Sequence, residues 1–598
     1  MRTPTPEQRS VIENPSRIRL VKAAPGSGKT WLVAEIIRRE LEHWDRGRGG
    51  IAALSFTRVG GEEIRQAVGC ELVHPHFVGT LDAFLFKYVV RPFLQQVRPG
   101  TARPRLIPAE WSPEDWRKLP GGVDFSVPNK KAPYNTFKAV FVGESEGGVR
   151  IAYPRRYQSD LQNLDETTAL RVLGIKEELW NKLGWLTHSD AAFLAALILA
   201  DDTAGPTVLA EVTRRFPFVI VDELQDTGWF LGRSIRSILA FQGTRGLLVG
   251  DPDQAIYEFS GAHPDLFDVY AELPDAAPLF LKTTRRCCPA ICRVADELSQ
   301  SGRTTQPNRE QSGRAFLLSY KGFRDAITRL REHLNAEVGT KSIKIIARRH
   351  KTITEVTGKP PNTPVPLGSP CLNHMQRAVS LFRERRQAKA LAAAKAALEL
   401  AEFKREGCED SDLLQRGVDP GQWKRIAVEC LLRANEEVAG ESLFDWGMRT
   451  RDSIHERLKP LADRPECRIE ARGVGKPYKK HQGTERSGFL FQPESVARIG
   501  PTIPIQTVHA VKGETHDTTV LISPPSRRAD RCPSAVWWSD DPADLEERRI
   551  AYVAVTRTKG DLIVCVCEES FDRLQQDRAK FVALFECMSV EDFIAGRL

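Results

Sequence analysis

The stretch Ala23-Ala24-Pro25-Gly26-Ser27-Gly28-Lys29-Thr30 decides the fold of this chain. It follows the apolar run Ile18–Ala23, which reads as a strand, and opens a run of helical periodicity from Thr30 to Leu41. Glycines let backbone N–H groups close around phosphate oxygens, and the N-terminus of the helix adds a partial positive charge. We therefore predict a phosphate-binding loop, with Lys29 on the β- and γ-phosphates of a nucleotide and the Thr30 hydroxyl on Mg2+.

An acidic pair follows a second apolar strand. The run Phe218–Val221 ends in Asp222 and Glu223. In a parallel α/β sheet, a carboxylate at the carboxyl end of a strand lies beside the phosphate loop. We predict that Asp222 holds the Mg2+ shell and that Glu223 orients and deprotonates the attacking water. The pair alone also fits a plain helix cap, but together with the loop it predicts a P-loop NTPase.

Bulk properties narrow the class of protein. The chain has 598 residues, 27% of them charged, and a formal net charge of +8, which mildly favours a polyanionic partner. No apolar run is long enough to span a bilayer and no signal peptide is present, so we expect no membrane partner. The 12 scattered cysteines predict reduced thiols and a cytoplasmic location. Cys287, Cys288 and Cys292 are read as a buried helix face rather than as metal ligands.

Two stretches alternate short apolar runs with helical ones, which predicts parallel sheets covered by helices. The predicted strands are Ile18–Ala23, Ile51–Ser55, Phe218–Val221 and Gly246–Val249 in the first stretch, and Ser342–Ala347, Pro504–Val508, Thr518–Ile522 and Asp561–Cys567 in the second. We expect an α/β fold with a first core domain at 1–95 plus 185–275 and a second at 276–360 plus 500–598. Mainly helical insertions occupy 96–184 and 361–499, the latter with an Ala-rich helix at Ala388–Phe403.

Eight further segments, in order, resemble the motifs of UvrD/Rep-like superfamily 1A DNA helicases. They are Thr5–Arg9, Ser55–Arg58, Gly79–Phe84, Asp222–Asp226, Val249–Phe259, Leu281–Arg286, Thr507–Glu514 and Glu546–Arg557. The resemblance implies two RecA-like domains that hydrolyse Mg-ATP and move along single-stranded or tailed DNA in the 3′→5′ direction. About 40 residues follow Arg557, so we expect no C-terminal nuclease domain of the RecB-like kind.

The resemblance assigns roles around the nucleotide. It implies that Gln8 reads adenine, that Gln254 senses the γ-phosphate, and that Arg286 and Arg557 supply positive charge to it, with Arg557 as arginine finger. Glu514 is expected to contact the nucleotide.

The resemblance also assigns contacts to DNA, by stacking and by polar groups. The residues expected to contact DNA are Phe56, Thr57, Arg58, Thr80, Phe84, Tyr257, Phe259, Thr507 and His509.

Several positions depart from the family pattern. Arg285 stands where the family has an aromatic residue that stacks on adenine, and a guanidinium plane can also stack. Ser260 replaces the arginine of a Trp-Arg-Gly sequence, which predicts weaker coupling of hydrolysis to duplex separation. Asp82 replaces a histidine, and Thr515 follows Glu514 where the family has Gly-Leu-Glu, so the carboxylate is displaced by one residue.

Three functions stay open at this point. The first is a helicase of DNA repair or replication, and the second is a DNA-stimulated ATPase that signals to a partner enzyme. The third is a nucleotide-binding assembly module without turnover, against which Glu223, Arg286 and Arg557 argue. A narrower resemblance, of Gly79–Phe93 and Arg286-Cys287-Cys288 to the helicase-like subunit of the Gabija antiviral system, implies an OLD-family nuclease with a Toprim domain as partner.

Overall fold

The computed structural model describes most of the chain. The described residues are 3–45, 49–70, 72–107, 124–125, 134–136, 139–145, 148–154, 161–257, 263, 265–307, 312–336, 341–357, 367–383, 387–403, 410–436, 438, 441–469, 474–477, 479, 503–525 and 544–597.

The strands within the described residues are numbered in chain order. They are β1 (Ile18–Ala23), β2 (Ile51–Ser55), β3 (Phe77–Thr80), β4 (Arg105–Leu106), β5 (Asp124–Phe125), β6 (Tyr134–Asn135), β7 (Val140–Ser145), β8 (Gly148–Pro154), β9 (Leu161–Asn163), β10 (Trp185–Leu186), β11 (Phe218–Asp222), β12 (Arg245–Gly250), β13 (Ala276–Leu281), β14 (Thr283–Thr284), β15 (Gln306–Pro307), β16 (Ala315–Tyr320), β17 (Ile343–Ala347), β18 (Ile505–Thr507), β19 (His516–Ile522), β20 (Thr558–Cys567) and β21 (Glu586–Ser589).

The α-helices of the same residues follow the same convention. They are α1 (Pro6–Glu13), α2 (Lys29–Glu42), α3 (Arg58–Val68), α4 (Leu81–Leu85), α5 (Arg91–Val97), α6 (Glu166–Leu183), α7 (His188–Ala200), α8 (Gly205–Arg215), α9 (Trp229–Ala240), α10 (Leu266–Ala271), α11 (Pro289–Leu298), α12 (Phe323–Asn335), α13 (His350–Thr357), α14 (Pro370–Arg383), α15 (Gln387–Phe403), α16 (Asp410–Gln415), α17 (Pro420–Asn435), α18 (Leu443–Ala462), α19 (Leu545–Val555), α20 (Glu568–Asp577), α21 (Ala579–Val582) and α22 (Val590–Ile594).

The first sheet is parallel and has the order β13-β1-β12-β11-β2-β3. Successive side chains of a strand point to opposite faces. On β11, Phe218 and Ile220 join the apolar core beneath α2, whereas Val219 and Val221 join the core formed with α7 and α9. Both faces are therefore covered, and the residues after the carboxyl ends of these strands share one edge.

The second sheet is also parallel, with the order β18-β17-β19-β20-β16-β21. On β20, Leu562, Val564 and Val566 pack into a core with α11 and α19, and Ile563 and Cys565 pack into a core with α12. The predicted α/β class with two helix-flanked parallel sheets is confirmed.

One predicted domain boundary is displaced. The strand β13 lies beyond the boundary predicted after residue 275, yet it pairs in parallel with β1 from Ile18↔Ala276 to Ala23↔Leu281. It is the outer strand of the first sheet, so the first domain continues at least to Leu281. Pro278 within β13 concealed the strand in the sequence, because proline is tolerated mainly on edge strands.

The insertions differ in character. Among its described residues, the first combines α6 with the antiparallel sheet β7-β8-β9, so it is mixed rather than mainly helical. On β8, Val149 and Ile151 alternate with the exposed Arg150, the period-2 pattern of a strand. The described residues between 367 and 479 form a separate compact unit, in which α14 to α18 surround the buried Trp423 and Trp446. The predicted Ala-rich helix is confirmed as α15.

Within the described ranges, no single helix is long and apolar enough to cross a bilayer. Only α7 and α8 taken together have the length and apolar composition of a membrane span, and the chain bends by 107° between them.

Candidate nucleotide-binding and catalytic site

The phosphate loop is shaped by two glycines with left-handed backbone. Gly28 has φ 84° and caps the N-terminus of α2, and Gly26 has φ 72°. A Cβ on Gly26 would lie 2.4 Å from Arg286 Cβ and 2.8 Å from Thr284 Oγ1. A side chain is therefore excluded at Gly26 both by conformation and by space.

Thr284 fastens the arginine segment to the loop. Its hydroxyl donates to the Pro25 carbonyl at 2.6 Å and accepts from the Arg286 N–H at 3.2 Å. The Arg285 N–H also donates to the Gly26 carbonyl at 3.0 Å. The sequence placed Thr284 inside a motif but did not single it out, because an uncharged residue gave no signal of this role. These bonds hold Arg286 against the phosphate loop.

A cleft of about 430 Å³ opens beside the loop. Its walls include Gly26, Gly28, Lys29, Thr30, Glu223 and Gln254, the arginines Arg285 and Arg286, and Lys512, Gly513, Thr515 and Arg557 around the second sheet.

The chemistry of this cleft fits a nucleotide phosphate chain with its cation. The loop presents a buried hydroxyl, Ser27 Oγ, that has no hydrogen-bond partner among the described residues. The Thr30 hydroxyl suits a hard cation, and the surplus of lysines and arginines suits phosphate. Of the predicted phosphate-loop residues, Gly26, Gly28, Lys29 and Thr30 line the cleft. Ala23 ends β1, and the nucleotide contacts of Ala23, Ala24, Pro25 and Ser27 stay predictions.

The acidic pair lies across from the loop lysine. The Glu223 Oε2 is 3.5 Å from Lys29 Nζ. Burial and the adjacent Glu223 carboxylate raise the pKa of Asp222 well above its usual range. Burial by itself would raise the pKa of Glu223, but Lys29 and Lys512 outweigh it and lower that pKa. The two lysines therefore favour the ionised form of Glu223, and a bound divalent cation would favour the ionised form of Asp222.

Glu223 also has an unusual backbone. Its φ of 55° is left-handed, which few residues other than glycine adopt. The Glu223 N–H donates to Asp222 Oδ1 at 2.9 Å, and the Gln225 side-chain amide donates to Glu223 Oε2. Such strained conformations are kept where the surrounding structure enforces them, commonly at active sites. Here the strain aims the carboxylate at the cleft.

Two arginines reach the cleft near the second sheet. Arg557 is fully buried and donates to Gln254 Oε1 at 3.0 Å, and Arg286 donates to the Thr556 carbonyl at 3.2 Å. Neither guanidinium forms an ion pair within the described part of the chain. Burial and the like charge of Arg286 lower the pKa of Arg557 to about 9, so it stays protonated at neutral pH. Glu223 and Asp251 offset only part of the cost of burying Arg557, and the half-buried Arg286 adds a second positive charge, so the pair suits an anion such as phosphate.

Three other nucleotide predictions fare differently. Gln8 is fully buried, donates to the Ser27 carbonyl at 2.8 Å and accepts from Thr5 N–H at 3.0 Å. Its amide thus supports the loop, and its adenine contact stays a prediction. Arg285 lines the cleft, and its stacking on adenine stays a prediction. Glu514 instead bonds His516 at 3.0 Å and lies 3.4 Å from Lys344, while Gly513 and Thr515 line the cleft. The Glu514 carboxylate is therefore directed toward His516 and Lys344 instead of the cleft.

Aromatic rings predicted to contact DNA lie in a row. The centre of the Tyr257 ring lies 5.5 Å from that of Phe56 and 5.9 Å from that of His509. Phe56 follows β2, Tyr257 follows the loop after β12, and His509 follows β18, so the row spans the carboxyl edges of both sheets. All three side chains are half-buried, which leaves ring surface accessible for stacking.

The three predicted threonines perform local structural roles. Thr57 and Thr80 cap α3 and α4 by accepting from backbone N–H groups at 3.0 and 3.2 Å, and Thr507 accepts from Ala510 N–H at 3.3 Å. Arg58 is exposed at the start of α3 beside Phe56. Thr57 and Thr80 thus place the N-termini of α3 and α4 at the carboxyl edge of the first sheet, whereas Thr507 closes a turn after β18 of the second sheet. The DNA contacts of all three threonines stay predictions.

The prediction for Phe84 is wrong, because Phe84 is fully buried. Its ring packs against Phe77, Tyr88 and Phe216 with centroids 5.6, 5.4 and 5.2 Å away. The helical turn of α4 directs this side chain into the apolar core instead of toward solvent. Phe259, the other predicted aromatic, lies outside the described residues.

Phe84→Ala is expected to destabilise the protein by about 3–5 kcal/mol, the usual effect of removing a buried phenylalanine ring. Urea unfolding followed by circular dichroism measures this change. Single-stranded DNA affinity, measured below the unfolding transition by fluorescence anisotropy, should stay within twofold. An affinity that falls tenfold without loss of stability would restore the DNA role. Phe84→Leu serves as control, with a smaller loss of stability.

Lys512 lies in the helicase-like segment Thr507–Glu514, but the sequence assigned it no role of its own. Its Nζ is 2.5 Å from Asp226 Oδ2, 3.0 Å from the Gln254 carbonyl oxygen and 4.7 Å from the centre of the Tyr257 ring. It joins the acidic motif of the first sheet to the ring row. A lysine flanked by glycine gave no signal for this bridging role.

Two known domain patterns match the chain. The UvrD/REP helicase N-terminal domain matches residues 4–117 and 124–273, and the UvrD-like helicase C-terminal domain matches residues 491–569. The first contains the phosphate loop and the acidic pair, and the second contains Lys512 and Arg557. The matched regions thus bring their residues together in the one cleft.

Similar proteins include several DNA helicases. The chain is 24% identical over 306 residues to the ATP-dependent DNA helicase UvrD1 of Mycobacterium tuberculosis, covering 49% of this chain and 38% of that protein. It is 24% identical to DNA helicase II of Haemophilus influenzae, over 49% of this chain and 40% of that protein. The UvrD2 helicase of M. tuberculosis is 25% identical over 50% of this chain and 43% of its own length. The alignments thus span less than half of each relative.

Proposed function

Because the chain belongs to the UvrD/Rep-like helicase family, we propose that it hydrolyses Mg-ATP between its two sheet domains and thereby moves along single-stranded DNA. One observation carries the proposal. Lys29 and Glu223 from the first sheet share a cleft with Arg557, which follows the helix α19 of the second. A protein that only bound a nucleotide would need no base and no second-domain arginine.

The chain's own groups suggest how the reaction proceeds. Lys29, now paired with Glu223, would bind the β- and γ-phosphates of ATP, which frees the Glu223 carboxylate to accept a proton from the attacking water. Arg286 and Arg557 would donate to γ-phosphate oxygens, where negative charge develops. Mg2+, held through Thr30 and Asp222, would neutralise phosphate charge when bound.

The same contacts would couple hydrolysis to movement. Arg557 reaches phosphate only when the two sheets are close, so ATP favours the closed arrangement and its hydrolysis releases it. Lys512 touches Asp226, three residues after Glu223, and the Tyr257 ring in the aromatic row. A DNA base stacked on the aromatic row would therefore be connected, through Tyr257 and Lys512, to Asp226 in the acidic motif beside the nucleotide.

An ATPase assay with and without single-stranded DNA tests the proposal. We expect Mg2+-dependent hydrolysis that DNA stimulates at least tenfold. A well-folded preparation that hydrolyses no ATP in the presence of DNA would refute the motor. Hydrolysis unchanged by DNA would leave an ATPase and refute coupling to DNA.

The 3′→5′ direction and the separation of strands are a finer part of the proposal, supported by family membership. Duplexes with only a 3′ or only a 5′ single-stranded tail distinguish the directions. Displacement from the 3′-tailed duplex alone is expected, and displacement from the 5′-tailed one alone would contradict it. Removal of streptavidin from end-labelled single strands would reveal movement without unwinding.

Tyr257→Ala is expected to weaken single-stranded DNA binding about tenfold, because loss of one base–aromatic stack is worth about 1–3 kcal/mol. Fluorescence anisotropy of a labelled oligonucleotide at fixed salt measures it. Tyr257→Phe keeps the ring and should bind within twofold of the wild type. An equal loss in both variants would assign the effect to the hydroxyl and contradict stacking.

A second candidate adds an OLD-family nuclease partner and a role in phage defence. It is supported by the segment Gly79–Phe93, whose Lys87 and Tyr88 line a cleft of about 540 Å³ together with Arg214 and Arg215 of α8. Arg215 Cζ and Lys87 Nζ each lie 5.1 Å from the centre of the Tyr88 ring. Glu211 also lines this cleft and pairs with Arg214 at 2.7 Å. The cleft shares no residue with the nucleotide cleft, so a partner could occupy it without displacing ATP.

Co-purification with a neighbouring nuclease tests this candidate. We expect a complex that the double variant Lys87→Glu, Arg215→Glu disrupts, and phage protection that Lys29→Ala abolishes. A chain that neither co-purifies with the nuclease nor protects against phage would refute the partner, while leaving the ATPase proposal intact.

A further inference from the structure

Arg303 lies outside all of the sequence motifs but forms a buried network with residues of two of them, Val249–Phe259 and Glu546–Arg557. Its guanidinium donates to Asp251 Oδ1 at 3.0 Å and to the Tyr552 hydroxyl at 2.6 Å, and it lies 3.6 Å from Asp253 Oδ2. The Arg303 side chain is 5% exposed. Asp251 directly follows β12 of the first sheet, whereas Tyr552 belongs to α19 beside the second sheet. One guanidinium thus ties together groups of both sheet domains.

The network continues from Arg303 into the catalytic cleft. The second oxygen of the Asp251 carboxylate accepts from Gln254 Nε2 at 2.8 Å, and Gln254 Oε1 accepts from Arg557 at 3.0 Å. The order of contacts is therefore Arg303, Asp251, Gln254 and Arg557. Arg303 itself does not line the cleft, so its influence on the phosphate passes through these neighbours.

Arg303 also holds Tyr552, which lies close to Arg557 at the other end of this series of contacts. Tyr552 lies on the helix that precedes Arg557, and its carbonyl accepts from the Thr556 N–H at 3.0 Å and the Thr556 hydroxyl at 2.8 Å. By holding the Tyr552 hydroxyl, Arg303 fixes α19 relative to Asp251. Arg303 thus holds both partners of the Gln254–Arg557 hydrogen bond, Gln254 through Asp251 and Arg557 through Tyr552.

Asp253 anchors the segment that carries Arg303. Its carboxylate accepts from the Ser299 and Ser301 hydroxyls at 2.6 and 2.7 Å and from the Gln300 N–H at 2.8 Å. Asp251 and Asp253 raise the pKa of Arg303 despite its burial, so the guanidinium stays charged. The segment after α11 therefore places a charged guanidinium, that of Arg303, between Asp251 and Tyr552.

We infer that Arg303 is a positioning residue for ATP hydrolysis, which sets the distance between Gln254 and Arg557 through Asp251 and Tyr552. The inference rests on the proposed ATPase function. Both bonds leave from the same guanidinium nitrogen, Nη2. Lysine keeps the charge, but its side chain is one bond shorter, so its ammonium does not reach the position from which Nη2 contacts Asp251 and Tyr552 together. A change at Arg303 should therefore lower the rate of the chemical step while leaving the phosphate loop, and hence ATP binding, intact.

The Arg303→Lys variant tests this inference. We expect kcat with single-stranded DNA to fall at least tenfold, while ATP affinity, measured with a fluorescent ATP analogue, stays within threefold. Arg329→Lys is the matched control, since Arg329 forms a surface pair with Glu591 at 2.8 Å, and its kcat should match the wild type. A kcat within twofold of the wild type for Arg303→Lys would overturn the inference.

A double variant separates positioning from a merely structural role. If Arg303 acts through Gln254, Arg303→Lys combined with Gln254→Ala should lose no more activity than Gln254→Ala alone. Losses that multiply, or a parallel fall in ATP affinity and melting temperature, would show a structural role and overturn the inference.

Hydrogen exchange gives a readout that does not depend on activity. The amides of 251–257 are expected to exchange at least tenfold faster in Arg303→Lys than in the wild type, and unchanged exchange would contradict the inference. A wild-type protein without ATPase activity would refute the proposed function, while exchange would still decide whether Arg303 orders this loop.

Discussion

Glu223→Gln is expected to lower the DNA-stimulated kcat by about 10³-fold, within the range that a general base contributes. The amide has nearly the shape of the carboxylate but cannot accept a proton from water. ATP affinity should stay within a few-fold of the wild type, because Lys29 and the phosphate loop are unchanged. Steady-state ATPase kinetics and binding of a fluorescent ATP analogue measure the two quantities separately.

The physical basis of this expectation is the charge balance around Glu223. Burial opposes ionisation, yet Lys29 and Lys512 keep the pKa of the carboxyl low. Removing that negative charge leaves two lysines to attract phosphate, so binding should not suffer. Glu591→Gln, a surface carboxylate paired with Arg329, is the matched control and should retain full kcat. Normal turnover in Glu223→Gln would show that another group activates the water.

Much of the fold was predictable because parallel strands buried on both faces read as apolar runs. The strands β1, β2, β11, β12, β17, β18, β19 and β20 were all anticipated from such runs. Four strands of the two large sheets were missed. β16, with the sequence Ala-Phe-Leu-Leu-Ser-Tyr, carries the same apolar signal and was overlooked, whereas the other three have physical reasons. β13 carries Pro278, and β21 reads Glu-Cys-Met-Ser, and both lie at the edge of a sheet, where one side needs no apolar partner. β3 is four residues long and contains Gly79.

The candidate site was predictable where function depends on local sequence, and less so where it depends on distant contacts. The loop around Lys29 is contiguous, so its spacing alone reveals phosphate binding. Arg303 and Tyr552 are separated by 249 positions, and nothing near either one signals the pairing. Phe84 shows the converse error, since a motif position suggested DNA while helix geometry placed the ring in the core. Residue type and order do not specify which face a side chain occupies.

Arg557→Lys is expected to lower the DNA-stimulated kcat by about 10³-fold, the lower end of the effect of an arginine finger. The Arg557 guanidinium already donates to Gln254 Oε1 at 3.0 Å and to the Val553 carbonyl at 3.0 Å. Its planar fork presents further N–H groups, which a lysine ammonium on a flexible stem cannot place on phosphate while keeping Gln254. The KM for ATP should rise much less than kcat falls, because charge on the γ-phosphate oxygens grows in the transition state.

Arg548→Lys is the matched control for Arg557→Lys. Arg548 lies on α19, the helix that precedes Arg557, but donates to the Leu298 and Glu297 carbonyls at 3.0 and 2.8 Å, away from the cleft, so kcat should stay within twofold of the wild type. Melting temperatures of both variants check the fold. If Arg557→Lys retains more than a tenth of kcat, Arg557 does not stabilise the transferred phosphate. If ATP affinity and melting temperature fall in parallel with kcat, Arg557 serves mainly to hold α19 against the first sheet domain. A selective loss of kcat would instead show that ATP turnover requires both sheet domains, which is the physical condition for converting hydrolysis into movement.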